Sequence, residues 1–174
     1  PRPMGMGTDA SRAEVVEGTG GSPLVDFAAT SNPYIDYQSV DLLLSLQHPR
    51  SEAYDEMCFF IMGQVKELLF KLLHFELHNA RHLLREGSAD DALNVLDRRR
   101  EVARLLTSTW DVVNTIAAEG FNQFRHHLDQ ASGQRSFMYR HVEFLLGNKD
   151  RRSASAHRND PHAWQYIAAA PVPK

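Results

Sequence analysis

Apolar and polar positions follow helical periods along most of this chain. The longest run, Asp55–Arg85 (DEMCFFIMGQVKELLFKLLHFELHNARHLLR), has no proline and is rich in Leu, Met, Lys, Glu and Arg. It predicts one helix of about 45 Å at 1.5 Å per residue. A compact chain of this length has a diameter near ~40 Å, so such a helix either projects or packs on other copies or a partner. Apolar residues occupy nearly its whole circumference at first (Met57, Cys58, Phe59, Phe60, Ile61, Met62, then Leu68, Leu69, Phe70), which marks a central helix.

Shorter periods flank it. Residues 1–31 are rich in Gly, Ala, Ser and Thr without a sustained apolar period and read as a mobile arm. Asp36 is positioned to cap a helix over Tyr37–Gln47, with Val40, Leu43, Leu44 and Leu46 as its stripe and His48-Pro49 as its stop. Gly87 ends the central helix, and Ser88-Ala89-Asp90-Asp91 starts a second long one. Its expected buried face is Leu93, Leu96, Val102, Leu105, Leu106, Trp110, Val113 and Ile116. The tight connection predicts an antiparallel hairpin. Gly120 reads as an interruption, Phe121–Leu128 as a short helix or loose turn, and Arg135–Leu146 as a helix stopped by Gly147-Asn148. Residues 149–158 read as a solvated basic loop, and Asp160-Pro161 as the start of a last short helix to Ala170. The expected fold is all-α: an arm over 1–31, a helical domain over 32–149, and a basic loop with a terminal helix over 150–174.

Composition narrows the function classes. A hydrophobic content of 43% supports one real core, and a net charge of −3 gives no global attraction to nucleic acid or anionic lipid. Cys58 is the single cysteine, so no intramolecular disulfide forms, and its apolar setting suits an inert thiol. There is no signal peptide and no run of eighteen apolar residues, so a cytoplasmic protein without a membrane partner is expected.

Nine histidines invite a metal reading. His74, His78 and His82 recur at i, i+4 and i+8 and form a ladder on one helix face. That spacing can hold a divalent ion, but without a cysteine or carboxylate at matched spacing the ladder reads as a half-exposed polar face. His126 and His127 are adjacent, which in an α-helix splays them apart. Phe59 and Gly63 are four apart and share a face. A mid-helix glycine costs about 1 kcal/mol relative to alanine, so Gly63 serves either close helix packing or room for a flat ligand beside Phe59. Arg125 lies among aromatics in Phe121-Asn122-Gln123-Phe124-Arg125, either as a surface residue or as a carboxylate binder.

Four ordered blocks, YIDYQSVDLLLSLQHPRS, DEMCFFIMGQVKELLFKLLHFEL, FNQFRHHLDQASGQRS and YRHVEFLLGNK, together resemble tryptophan 2,3-dioxygenase over roughly Tyr34–Lys149. The resemblance implies a helical enzyme with haem b iron, usually a homotetramer built as a dimer of dimers. Such enzymes use O2 to cleave the indole ring of L-tryptophan to N-formylkynurenine. By position it puts the substrate carboxylate on Arg125 and the indole against Phe59 and Phe121. Tyr34, Tyr37 and Gln38 fall at the substrate site, the two tyrosines lent by a neighbouring subunit. Ser132, Gly133 and Trp110 fall on the haem side.

Three departures stand beside the matches. Gly63 occupies the position of the family's distal histidine, which removes a hydrogen-bond partner for the indole N–H. Gln38 and Gln134 replace apolar residues. The family's proximal haem histidine belongs to a C-terminal helical half that these residues do not include, and His157 and His162 come too early to inherit the role. Three readings follow: a haem-dependent oxygenase acting on tryptophan or a tryptophan-like amino acid; a specialised monooxygenase variant; or a truncated, non-catalytic helical module that binds ligand or oligomerises without haem.

Overall fold

The structure, a computed structural model, describes residues 33–128, 132–148, 150–155, 157–161 and 164. The expected arm over 1–31 and the end of the expected last helix lie outside the described residues. The chain divides into two units, 1–48 and 49–174. The described residues form helices and 3-10 turns with no strand, so the fold is all-α.

The first unit holds α1 (Pro33–Gln38) and α2 (Val40–Leu44). The single helix expected over Tyr37–Gln47 is instead two short ones. Proline is tolerated at a first helical position, so Pro33 opens α1 rather than breaking the chain. Ser39 then adopts φ 50°, ψ 46°, a left-handed conformation that interrupts the α-helical path.

The second unit is built on α3 (Tyr54–Arg85), 32 residues long and about 48 Å. Asp55 and Glu56 lie in its first turn, His82 and Arg85 in its last, a charge order that complements the helix dipole. Buried Glu56 reaches back to accept from the backbone N–H groups of Arg50 and Ser51, both at 2.7 Å, and from the Ser51 hydroxyl. At the far end Ser88 N–H donates to the Leu83 carbonyl at 2.9 Å and Gly87 N–H to the Leu84 carbonyl at 3.3 Å. Gly87 supplies the φ of 80° that this 6→1, 5→2 closure requires.

The chain then returns along α3 as α4 (Ala89–Val113). Its buried face is Ala92, Val95, Val102 and Thr109, with Leu106 half-buried. This corrects the expected stripe: Leu93, Leu105 and Trp110 are 60%, 55% and 54% exposed. Small side chains let two helix backbones approach, so the line containing Ala92 and Val95 wins the interface over the leucines beside it.

Three shorter helices complete the unit: α5 (Ala118–Phe124), α6 (Phe137–Leu145) and α7 (Arg151–Ser155). Gly120 does not interrupt the chain; it lies inside α5. The Ser136 hydroxyl caps α6, accepting from Tyr139 N–H at 3.0 Å, and donates to Glu67 on α3 at 2.9 Å. Leu73 and Leu77 of α3, Val102 of α4 and Val142 of α6 form the main core, flanked by Leu69, Phe70, Leu106 and Leu145. Burying such a side chain fully is worth roughly 1.5–3 kcal/mol.

The basic segment after Asn148, expected as a solvated loop, is a correction. Asp150 accepts from the backbone N–H groups of Arg152 and Ser153 at 3.0 and 3.1 Å, which starts α7. Ala154 then packs with Phe144, Phe137 and Trp164 in a second cluster.

Candidate functional site

The first turns of α3 and the end of α5 bring three aromatic rings together. Phe59 lies 5.8 Å from Phe121 and 5.5 Å from Phe124, and those two are 5.2 Å apart, centroid to centroid. All three separations fall in the favourable range for tilted and edge-on aromatic pairs. Phe124 is fully buried, whereas Phe59 and Phe121 are half-buried. The trio thus has one buried ring and two that are part-exposed. Phe124 was not singled out from the sequence, although its i, i+3 spacing from Phe121 was available as a signal.

Gly120 makes this approach possible. A Cβ at that position would stand 1.9 Å from Asp55 Oδ2 and 3.1 Å from its Cγ, so any other residue there must push the Asp55 carboxylate aside. Close helix packing was one of the two roles considered for Gly63. The structure gives that role to Gly120, because a Cβ on Gly63 would meet nothing within 4 Å. Gly63 is exposed, one turn beyond Phe59, and leaves space on that face.

Arg125 follows Phe124 directly. Its φ of −49° and ψ of −40° continue the helical path, so it shares a face with Phe121 four residues earlier. It is exposed, and among the described residues its guanidinium has no ion-pair or hydrogen-bond partner. Arg125–His127 then form a 3-10 turn. There the His126 and His127 rings sit 4.0 Å apart, a correction to the splayed arrangement that an α-helix would give.

The remaining expected site residues lie on other elements. Tyr34, Tyr37 and Gln38 lie on α1 in the first unit, where Tyr34 is 64% and Tyr37 is 91% exposed. Trp110 projects from α4 with its face covered by the Lys66 ammonium, 3.4 Å from the ring centroid; burial pushes the Lys66 pKa down. Ser132 and Gly133 open a second 3-10 turn, where Ser132 Oγ accepts from Gln134 N–H at 3.3 Å. A Cβ on Gly133 would also meet nothing within 4 Å.

The histidine ladder lies farther down α3. His74 is half-buried and His78 and His82 are exposed. With Phe75 and Asn79 they line an open groove of about 520 Å³. No spacing in the chain marks His141 of α6, whose Nδ1 stands 3.4 Å from His74 Nε2.

Comparison with known proteins settles the lineage. The family model described as tryptophan 2,3-dioxygenase matches residues 20–163. The chain belongs to the tryptophan 2,3-dioxygenase family. It is 38% identical over 137 residues to the tryptophan 2,3-dioxygenase of Pseudomonas fluorescens, covering 79% of this chain and 48% of that protein. It is 35% identical over 146 residues to tryptophan 2,3-dioxygenase 1 of Ralstonia nicotianae, covering 84% of this chain and 49% of that one. The chain therefore spans about half the length of the curated relatives it matches.

Haem b is the cofactor the family implies, and the described residues meet only part of what it needs. Gly63 and Gly133 are both exposed, with open space where a Cβ would stand. Haem iron also needs an axial ligand, such as an imidazole. His74, the next histidine on the Phe59–Gly63 stripe, is eleven residues and about 16 Å farther along the helix, where it already faces His141. His157 is buried, and its Nε2 has no partner among the described residues. Burial and the charges of Arg140 and Arg135 push its pKa down against the pull of Asp160. That places His157 with the α6 and α7 segments rather than at the aromatic trio. Neither His74 nor His157 stands beside the aromatic trio as a ligand for haem iron. Among the described residues no helix is long and apolar enough to cross a membrane.

Proposed function

We propose that this chain carries the amino-acid-binding part of a tryptophan 2,3-dioxygenase-type oxygenase site. The observation behind this reading is an uncommitted, exposed Arg125 one turn from Phe121, next to an aromatic trio in which Phe59 and Phe121 are half-buried. A zwitterionic amino acid needs a guanidinium for its carboxylate, in bidentate form, and an apolar slot for its ring. Arg125 supplies the first; Phe59 and Phe121 supply the second. Tyr34, Tyr37 and Gln38 would close the site from another copy of the chain in a homo-oligomer, a dimer of dimers by family precedent.

Glycine at position 63 offers no hydrogen bond to an indole N–H and leaves room beside Phe59. The preferred ligand is then L-tryptophan or a tryptophan-like amino acid with a larger or differently oriented ring. When bound, haem would supply the O2 chemistry, with the dioxygenase product N-formylkynurenine or, in a specialised variant, a monooxygenation product. The role of this chain's own residues is to bind, orient and shield the amino acid, and its expected setting is cytoplasmic.

Calorimetric titration with L-tryptophan tests the reading. Arg125→Ala is expected to weaken binding at least tenfold and Arg125→Lys to restore part of it. Equal affinity in parent and Arg125→Ala would overturn it. A second reading is a non-catalytic ligand-binding module. Absorption spectra after hemin addition separate the two: a stoichiometric Soret band that shifts with L-tryptophan supports the oxygenase, and no specific band supports the module.

A further inference from the structure

The contact between His74 and His141 joins two helices through their imidazoles. His74 lies on α3 and His141 on α6, with ring centroids 5.2 Å apart and the planes inclined by 57°. Their facing nitrogens, Nε2 and Nδ1, are 3.4 Å apart. That is beyond the usual ~2.7–3.2 Å of an N–H hydrogen bond. Two imidazole nitrogens bound about 2.0–2.1 Å from one ion at a tetrahedral angle stand roughly 3.3–3.4 Å apart. The pair already has a chelate's spacing.

The surroundings suit an entering ion. His74 borders the open groove that also exposes His78 and His82, so hydrated metal can reach the pair from solvent. His78, one turn on, has its ring 6.3 Å from that of His74. Burial and the positive charges of His141, His78 and Arg81 lower the His74 pKa, which favours the neutral, ligating form. No group of three or more histidine, cysteine or acidic side chains converges to hold a metal among the described residues. Two protein ligands and solvent are therefore the available set, and imidazole nitrogens select zinc, nickel or copper over magnesium or calcium.

We propose that His74 and His141 chelate one divalent transition-metal ion, with water completing its shell, and that the ion clamps α6 onto α3. The site is separate from the aromatic trio and from any haem. Binding to the folded state alone would stabilise it by mass action.

The experiment uses the full chain, stripped with chelator and free of hemin. Zinc chloride alone is titrated by calorimetry and in thermal melts, with nickel chloride in parallel. The expected result is one saturable site per chain, a rise in Tm with metal, and at least tenfold weaker binding in both His74→Gln and His141→Gln. His82→Ala should stay within twofold of the parent. Circular dichroism checks each fold; should His74→Gln unfold, His141→Gln and His82→Ala carry the comparison. The proposal is overturned by absence of a saturable site, by unchanged affinity in a folded His141→Gln, or by an equal loss in His82→Ala. Because neither hemin nor tryptophan is present, its failure leaves the amino-acid site untouched.

Discussion

A Cβ at Gly120 would sit 1.9 Å from Asp55 Oδ2, so a side chain at position 120 must displace the Asp55 carboxylate. This contact sets α5 against the first turn of α3 and hence Phe121 and Phe124 against Phe59. The two mid-helix glycines should respond to alanine in opposite ways. Gly63→Ala gains helix propensity in open space and is expected to stabilise by up to about 1 kcal/mol. Gly120→Ala makes the same gain but drives a methyl group into the Asp55 carboxylate, for a net loss of roughly 1 kcal/mol or more. Asp55→Ala should remove that loss in the double variant. Urea midpoints decide it, and equal stabilisation by both alanines would contradict the close approach.

Glu56 predicts an acid-labile helix start. Burial alone would raise its pKa, but hydrogen bonds from the Ser51 side chain and from the Arg50 and Ser51 backbone, with the charge of nearby His127, outweigh that and hold it below the ordinary glutamate value. A depressed folded pKa means that the unfolded chain takes up the proton first as pH falls. The stabilisation is therefore full above the unfolded value, near ~4.3, and is lost as pH drops through the lower folded value. Thermal melts between pH 6 and pH 3 should show a fall in Tm that Glu56→Gln flattens. Glu56→Ala, which strands the donors of Arg50 and Ser51, should cost about 1–3 kcal/mol at neutral pH. An unchanged pH profile in Glu56→Gln would rule the carboxylate out.

Phe124 and Phe59 touch, yet they should separate stability from binding. Phe124 has 0% exposure, so Phe124→Ala leaves a cavity and is expected to cost about 3–5 kcal/mol. Half-buried Phe59 can be truncated at lower cost, roughly half as much. Its loss should instead weaken L-tryptophan binding at least tenfold in a folded protein. Chemical denaturation and calorimetry on the same variants check both arms. A Phe59→Ala variant with parental affinity would remove that ring from the proposed site.

These contrasts also show what the residue pattern could and could not carry. The central helix, its Gly87 stop and the antiparallel return are local properties, written in propensity, capping and one glycine φ. The interface of α4 is not local: Leu93, Leu105 and Trp110 look like core by hydropathy. Ala92, Val95 and Thr109 take the interface because backbone approach favours small side chains. Gly63 reads as the mid-helix glycine and Gly120 as a break, but only their neighbours in space show that Gly120 lies inside α5 against Asp55 while Gly63 faces open space. Phe59 and Arg125 stand out in the residue pattern, and the family resemblance gives them and Phe121 their roles, whereas Phe124 enters only through its packing. The α7 start was legible in Asp150 followed by Ser153, had the aspartate been weighed as a cap. His141 meeting His74 was not, because it depends on the register in which α6 docks.

Glu76 and Arg98 test how the hairpin tolerates charge. Glu76 is 3% exposed at the face of α3 toward α4, with Oε1 2.9 Å from Arg98 Nη1. Its Oε2 has no partner among the described residues. Arg98 is 63% exposed, so solvent already stabilises the guanidinium and weakens its hold on the carboxylate. The pair therefore offsets the cost of burying Glu76 only in part. Arg98→Met would leave that carboxylate buried without a cation and should destabilise by about 2 kcal/mol, below the ~3–5 kcal/mol of a fully buried pair. Replacing both, as Glu76→Leu with Arg98→Met, removes the buried charge along with its partner and should be at least as stable as the parent. A double-mutant cycle in urea measures the coupling directly. A neutral Arg98→Met would mean that water, rather than Arg98, meets the Glu76 charge.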